Sequence, residues 1–227
     1  RIGNLFWMTE NLKVTHYRNG ESIPNVTVNS DWSDLTTGAY CVYDNNPVNA
    51  DVYGNLYNWY AVADSQGLAP EGWRIPSDDD IKQLEIFLGM TQAEADATGY
   101  RGTNQGSQLA GRADLWANGA LENNPEFGSS GFNFLPGGYR RDGGGYFYSM
   151  SYFGYIWSST ESDSDYAWSR LLGCDGTQVS RDGGSKSRGF SVRCVRDIDY
   201  LTIRQFDSSD EQQRITRNEW LSFAPTT

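Results

Sequence analysis

Few residues of this chain combine type and spacing in a way that could do chemistry, and each combination has a plainer explanation beside it. His16 is the only histidine. It has no second His, no Cys and no acidic motif at ligand spacing, so it reads as a surface or hydrogen-bonded residue at a strand end. No elbow-type sequence surrounds any Ser or Cys, and a triad or dyad would have to rest on His16 alone. The three cysteines, Cys41, Cys174 and Cys194, are an odd number, which leaves at least one thiol without an intrachain partner. Cys174 and Cys194 flank Gly183-Gly184. A two-residue hairpin there sets Cys174 opposite Arg193, and one bulge corrects the parity. A Cys174–Cys194 disulfide and a pair of buried thiols both remain open. Asp78, Asp79 and Asp80 could be a metal cluster, but helix capping accounts for all three. Asp163 and Asp165, in ESDSDYAW, lie in a loop between strands, where calcium sites often draw carboxylates; a solvated acidic loop is the simpler reading. No catalytic constellation emerges, and the expectation is a protein that is not an enzyme.

The tail calls for its own reading. FDSSDEQQRITRNEW resembles an EF-hand loop, with Asp207, Ser209, Glu211 and Glu219 as the calcium-ligand set. Its Glu comes one position later than the pattern puts it, and Gln212-Gln213 stand where the central Gly belongs. The alternative is a small helical appendage that binds no metal. Calcium is therefore the single cofactor the sequence suggests.

The elements that must position these residues follow from periodicity. GLAPEGWRIPSDDDIKQLEIFLG organises the chain: a turn at Pro70-Glu71-Gly72, a short strand at Trp73 to Ile75, and a helix from about Asp78 to Leu88. Ser77 and Asp80 have capping-box spacing, and Gly89 is the stop. Leu56, Trp59, Tyr60 and Ala63 predict an earlier short helix over 56–64, and Thr91 to Thr98 a further helical turn. Residues 1–20 suggest a kinked strand, and 21–54 a surface loop broken by short strands such as Ala39 to Tyr43. After Gly102 the signal turns to strands, at 132–135, 145–150, 155–159, 167–172, 177–181 and 189–195, with Asp182-Gly183-Gly184-Ser185 as a hairpin turn. Two short helices early and a run of antiparallel strands later make an α+β domain. A change of texture places its boundary near 197–200, giving a domain over 1–197 and an appendage over 198–227.

The chain has 227 residues and a net charge of −11, with 8 Trp, 14 Tyr and 10 Phe. This composition suits a loop-rich domain with a core of bulky rings. No basic cluster exists to follow a phosphate backbone, so nucleic acid is not an expected partner. The charge also disfavours anionic membranes, and no apolar run is long enough to span a bilayer.

WMTENL, YGNLYNWYAV, GLAPEGWRIPSDDD, GFNFLPGGYR, YIWSSTE and GFSVRCVRD, in this order, resemble the Fibrobacter succinogenes major paralogous domain over roughly residues 4–197. The resemblance implies a C-type-lectin-like fold, distantly similar to formylglycine-generating enzymes. It also implies a secreted or surface-anchored protein of Bacteroidetes-like or Fibrobacter-like bacteria, without established catalytic activity. The paired active-site cysteines of those enzymes have no counterpart here, nor do the Glu-Pro-Asn or Gln-Pro-Asp triplets of sugar-coordinating calcium sites. Family members often carry a Cys before the PEGW block as the natural partner of Cys194; this chain has Ala69 there. The expected function is extracellular recognition or adhesion, with a glycan or protein bound by loops and strand faces of residues 145–186. The candidate contacts are Tyr148, Tyr152, Asp163, Asp165, Tyr166, Arg170 and Arg181. A structural subunit of a surface filament or coat, hence a homo-oligomer, is the alternative. A carbohydrate-active enzyme is the weaker one.

Overall fold

The computed structural model describes residues 1–33 and 35–197. Its elements in order are β1 (Leu5–Trp7), α1 (Asn29–Ser33), β2 (Tyr40–Cys41), α2 (Pro47–Tyr53), β3 (Leu56–Tyr57), α3 (Trp59–Val62), α4 (Asp78–Phe87), α5 (Gln92–Asp96), β4 (Gly99–Arg101) and α6 (Gln105–Leu109). Then follow β5 (Tyr139–Arg140), β6 (Phe147–Tyr148), β7 (Phe153–Glu161), β8 (Tyr166–Gly173), β9 (Val179–Ser185) and β10 (Val195–Asp197). The class is α+β. The central sheet has the order β4-β9-β8-β7 with antiparallel neighbours, and β1-β10, β2-β3 and β5-β6 form two-stranded ribbons around it. The proposed appendage and its calcium set Asp207, Ser209, Glu211 and Glu219 lie outside the described residues.

The organising stretch forms its turn and its helix, but the strand expected at Trp73 to Ile75 is reduced to a single bridge between Arg74 and Val195. Ser77 Oγ accepts from the Asp80 amide at 3.1 Å and Asp80 Oδ2 accepts from the Ser77 amide at 2.7 Å, a closed capping box. Ile81 and Leu84 of α4 are buried against Ile156, Leu172 and Val179 of the central sheet. The opposite sheet face packs Trp157 and Ala167 against Phe190, Tyr57 and Trp59. The two faces therefore serve two separate cores.

Several expectations need correction. Leu56 to Asp64 is not one helix: Leu56–Tyr57 is a strand paired with Tyr40–Cys41, and only Trp59–Val62 is helical, capped by Asn58. The loop expected over 21–54 contains α1 and α2. Asp182 to Ser185 is not a hairpin turn. It continues β9, with Gly183 opposite Trp168 and Gly184 opposite Ala167. A Cβ on Gly184 would stand 2.7 Å from both Phe190 and Trp157, so the glycine is there for close ring packing.

That register also separates Cys174 from Cys194. Cys174 follows β8, and its carbonyl accepts from the Leu121 amide; the carbonyl of Cys194 accepts from the Met8 amide. All three cysteines are buried free thiols, and Cys174 and Cys194 sit in different core clusters. Ala69, at the family's Cys position, lies in the same cluster as Cys194.

Candidate functional site

The expected contact residues do not form one site. Arg170 and Arg181 are buried, on the α4-facing side of the sheet. Arg170 donates to Glu85 at 2.7 Å and to Asp78 at 2.8 Å, Arg181 to Asp78 at 2.7 Å, and Arg101 to Glu85 at 2.7 Å. The Arg181 guanidinium stacks 3.6 Å from the Trp168 ring centroid. These arginines hold α4 to the sheet and are unavailable to a ligand. Asp78 is therefore more than a cap residue. Burial alone would raise its carboxyl pKa, but Arg181 and Arg170 more than offset that and hold it below the ordinary value.

Asp163, Asp165 and Tyr166 lie exposed at the β7–β8 hairpin tip. Asp163 Oδ1 is spent accepting the amides of Asp165 (2.8 Å) and Tyr166 (2.9 Å), which shapes the turn. Lys186, stacked on Trp59, ties the tip down through Glu161 and the Ser164 carbonyl, both at 2.8 Å. Among the described residues no group of His, Cys, Asp or Glu could hold a metal ion. His16 is exposed, with its ring nitrogen 2.9 Å from the Thr15 hydroxyl.

The other side of the central sheet has different chemistry. Register places Tyr155 (β7), Leu171 (β8), Ser180 (β9) and Tyr100 (β4) in one line across the four strands, all on the face away from α4. The bridge between Gly138 and Gly154 joins the β5–β6 ribbon to the β7 edge. This continues the line through Tyr139, 5.0 Å from Tyr155, to Tyr148, stacked on Tyr139 at 5.7 Å and 29°. Tyr155 is backed by Phe190 at 4.7 Å, so the row stands on the core. Tyr100 is 51% exposed and Tyr148 38%. Tyr152, also exposed, precedes β7 beyond the stacked row.

Polar groups border the row. The Ser180 hydroxyl donates to Asp182, which lies exposed beside Tyr100. Asp175 also acts on Tyr100 electrostatically. Burial, then these two carboxylates, raises the Tyr100 phenol pKa, and burial with Tyr139 and Tyr100 nearby raises that of Tyr155. Both phenols stay protonated donors well above neutral pH. At the ribbon end Arg188 pairs with Asp142 at 3.4 Å. Arg141, exposed, occupies the ribbon tip two residue pairs beyond Tyr139 and Tyr148. The site is thus a platform of rings edged by hydroxyls and carboxylates, and among the described residues no group of His, Cys, Asp or Glu there could hold a metal ion.

Tyr100, Tyr139, Asp182 and Arg188 are absent from the sequence-derived set. Alternation within each strand was the available signal: Tyr155 and Tyr100 fall into one line only through the three successive pairings β7–β8, β8–β9 and β9–β4.

Residues 1–196 match the model of the Fibrobacter succinogenes major domain. The chain belongs to this family. Comparison with curated proteins and with solved structures gave no match. The family blocks now have physical content. Arg140 of GFNFLPGGYR is buried, stacks between Trp32 (4.6 Å) and Phe147 (4.7 Å), and donates to the carbonyls of Val26, Thr27 and Gly145. Arg193 of GFSVRCVRD donates to Asn11 and to the carbonyls of Phe132 and Asn133. In both cases one guanidinium satisfies carbonyls that irregular loops leave unpaired.

Proposed function

We propose that the domain is a non-enzymatic recognition module, secreted or held at the cell surface, whose ligand lies across the open face of the central sheet. The row Tyr148–Tyr139–Tyr155–Tyr100 carries this reading: its end rings Tyr148 and Tyr100 are exposed on a rigid sheet and are contact surface in search of a partner. The buried guanidinium–carboxylate network beneath makes the platform stiff, which lowers the ordering cost of binding. Acidic composition and family membership support an extracellular setting. The same reading takes the fold as C-type-lectin-like, on the strength of early helices followed by short antiparallel strands and long loops. The expected ligand is a glycan or a protein segment.

A glycan and protein array probed with the purified chain should give hits that Tyr100→Ala and Tyr148→Ala both remove, each weakening binding at least tenfold, or about 1.4 kcal/mol. Tyr166→Ala at the hairpin tip should leave them unchanged. Hits lost in the Tyr166 variant and kept in the other two would return the site to the 163–166 loop.

A further inference from the structure

Resting on the sheet-face reading, we infer that the ligand is an uncharged oligosaccharide, several sugars long, laid along the tyrosine row. Length comes first. Strands lie about 4.8 Å apart, so the backbones at Tyr155 on β7 and Tyr100 on β4, three spacings apart, are about 14 Å from each other. Tyr139 and Tyr148 carry the row two ring contacts further. One sugar would cover a single ring; only an extended ligand touches them all.

Ring geometry comes second. Tyr139 and Tyr148 lie within 29° of parallel, and Tyr155 is tilted 56° from Tyr139. The ring contacts run on in a line from Tyr148 through Tyr139 to Tyr155 and do not close around a point, as a cage for an ammonium group would. The exposed parts of Tyr148 and Tyr100 suit the flat, C–H-bearing sides of pyranose rings at the two ends of an extended chain. The hydroxyls of such rings would find the protonated Tyr100 and Tyr155 phenols as donors and Asp182 as acceptor.

Charge comes third. Asp182 and Asp175 flank the Tyr100 end. Arg188 is engaged with Asp142, and Arg141 stands at the far tip of the ribbon. A polyanion lying along the row would bring its charges against Asp182 and Asp175. A neutral chain meets no such repulsion, and its hydroxyls can donate to these carboxylates.

The test titrates the full chain, by calorimetry, with neutral cello-, xylo- and manno-oligosaccharides of two and six sugars, with oligogalacturonate, and with a lysine-rich peptide. A neutral hexasaccharide should bind at least tenfold more tightly than its disaccharide. Tyr100→Ala, Tyr148→Ala and Asp182→Ala should each weaken it at least fivefold, with Arg141→Ala neutral. The replaced side chains are exposed, and an unchanged melting temperature separates lost binding from lost fold. Oligogalacturonate binding that Arg141→Ala abolishes, or peptide binding that Asp182→Ala abolishes, would overturn the uncharged-ligand inference; sensitivity of that binding to Tyr100→Ala would still uphold the sheet face. Binding of a neutral chain indifferent to both tyrosine variants would overturn face and ligand together. Failure of every neutral oligosaccharide to bind would overturn the ligand class.

Discussion

At the scale of single residues, the main lesson concerns charges that a strand pattern conceals. Arg170 stands next to Ser169, and Arg181 between Ser180 and Asp182, as surface residues would, yet they meet Asp78 and Glu85 inside the molecule. The sequence did hold a hint. Asp78 and Glu85 are seven apart on α4, on the stripe that carries Ile81 and Leu84, so two carboxylates share the core face of the helix. Capping explained Asp78 well enough to hide this. Arg170 is 1% exposed, and Arg170→Met should destabilise the fold by about 3–5 kcal/mol, because two buried carboxylates each lose a partner. Urea unfolding would read this directly; a loss under 1 kcal/mol would show the network to be dispensable. A pH effect follows from the same residues. The folded pKa values of Asp78 and Asp80 lie below the ordinary 3.8. For Asp80, burial pulls upward and Arg74 and Ser77 outweigh it. A lowered carboxyl contributes stability that is fully present above the unfolded value and is lost as pH falls through the folded value. Urea midpoints should therefore hold steady through the neutral range and fall as pH drops below about 4, with a shallower acid limb in Asp78→Asn.

At the scale of elements, local signals with one strong meaning survived and those with two did not. The Ser77–Asp80 box, the Gln92–Asp96 helix and the strands from 153 to 173 were legible because capping chemistry and alternation each allow a single outcome. Gly183-Gly184 was ambiguous: paired glycines suit a tight turn, and they also suit a strand with another side chain pressed on it. Here packing decides, since Trp157 and Phe190 occupy the space a Cβ would need. The misread turn carried errors with it, because it brought a Cys174–Cys194 disulfide in as one of two open alternatives and truncated β9 before Asp182. Leu56–Tyr57 failed for a similar reason: apolar residues at helical spacing also fill a short strand buried on both sides. Gly184→Ala should cost about 1–3 kcal/mol through overpacking between β9 and the two rings. A melting curve matching the parent's would mean that the rings move aside freely and that close approach does not explain the glycine.

At the scale of the whole molecule, the sheet offers little edge for other copies to extend. The β7 edge is met by bridges from Gly138 and Ser191, and β4 at the other edge has only three residues. The open surface is a face, which favours recognition over strand-by-strand assembly. The thiols test whether the domain behaves as one cooperative body around its cores. Cys41 comes from the early part of the domain and Cys174 and Cys194 from its last strands and the segments beside them, and they lie in three different core clusters. Burial pushes the Cys41 and Cys194 thiols up to about 12, and Cys174 is raised as well, by burial and then by Asp175. Thiolate, the reactive form, is therefore scarce at neutral pH even where a reagent could reach. In the native protein a thiol-specific disulfide reagent should label none of the three promptly. Along a urea titration all three should become reactive over the same interval as the loss of tryptophan fluorescence. A reductant should leave the melting temperature unchanged, since no bridge links the clusters. Early labelling of one cysteine would mark its cluster as a unit that opens on its own, and a drop in melting temperature with reductant would restore the disulfide.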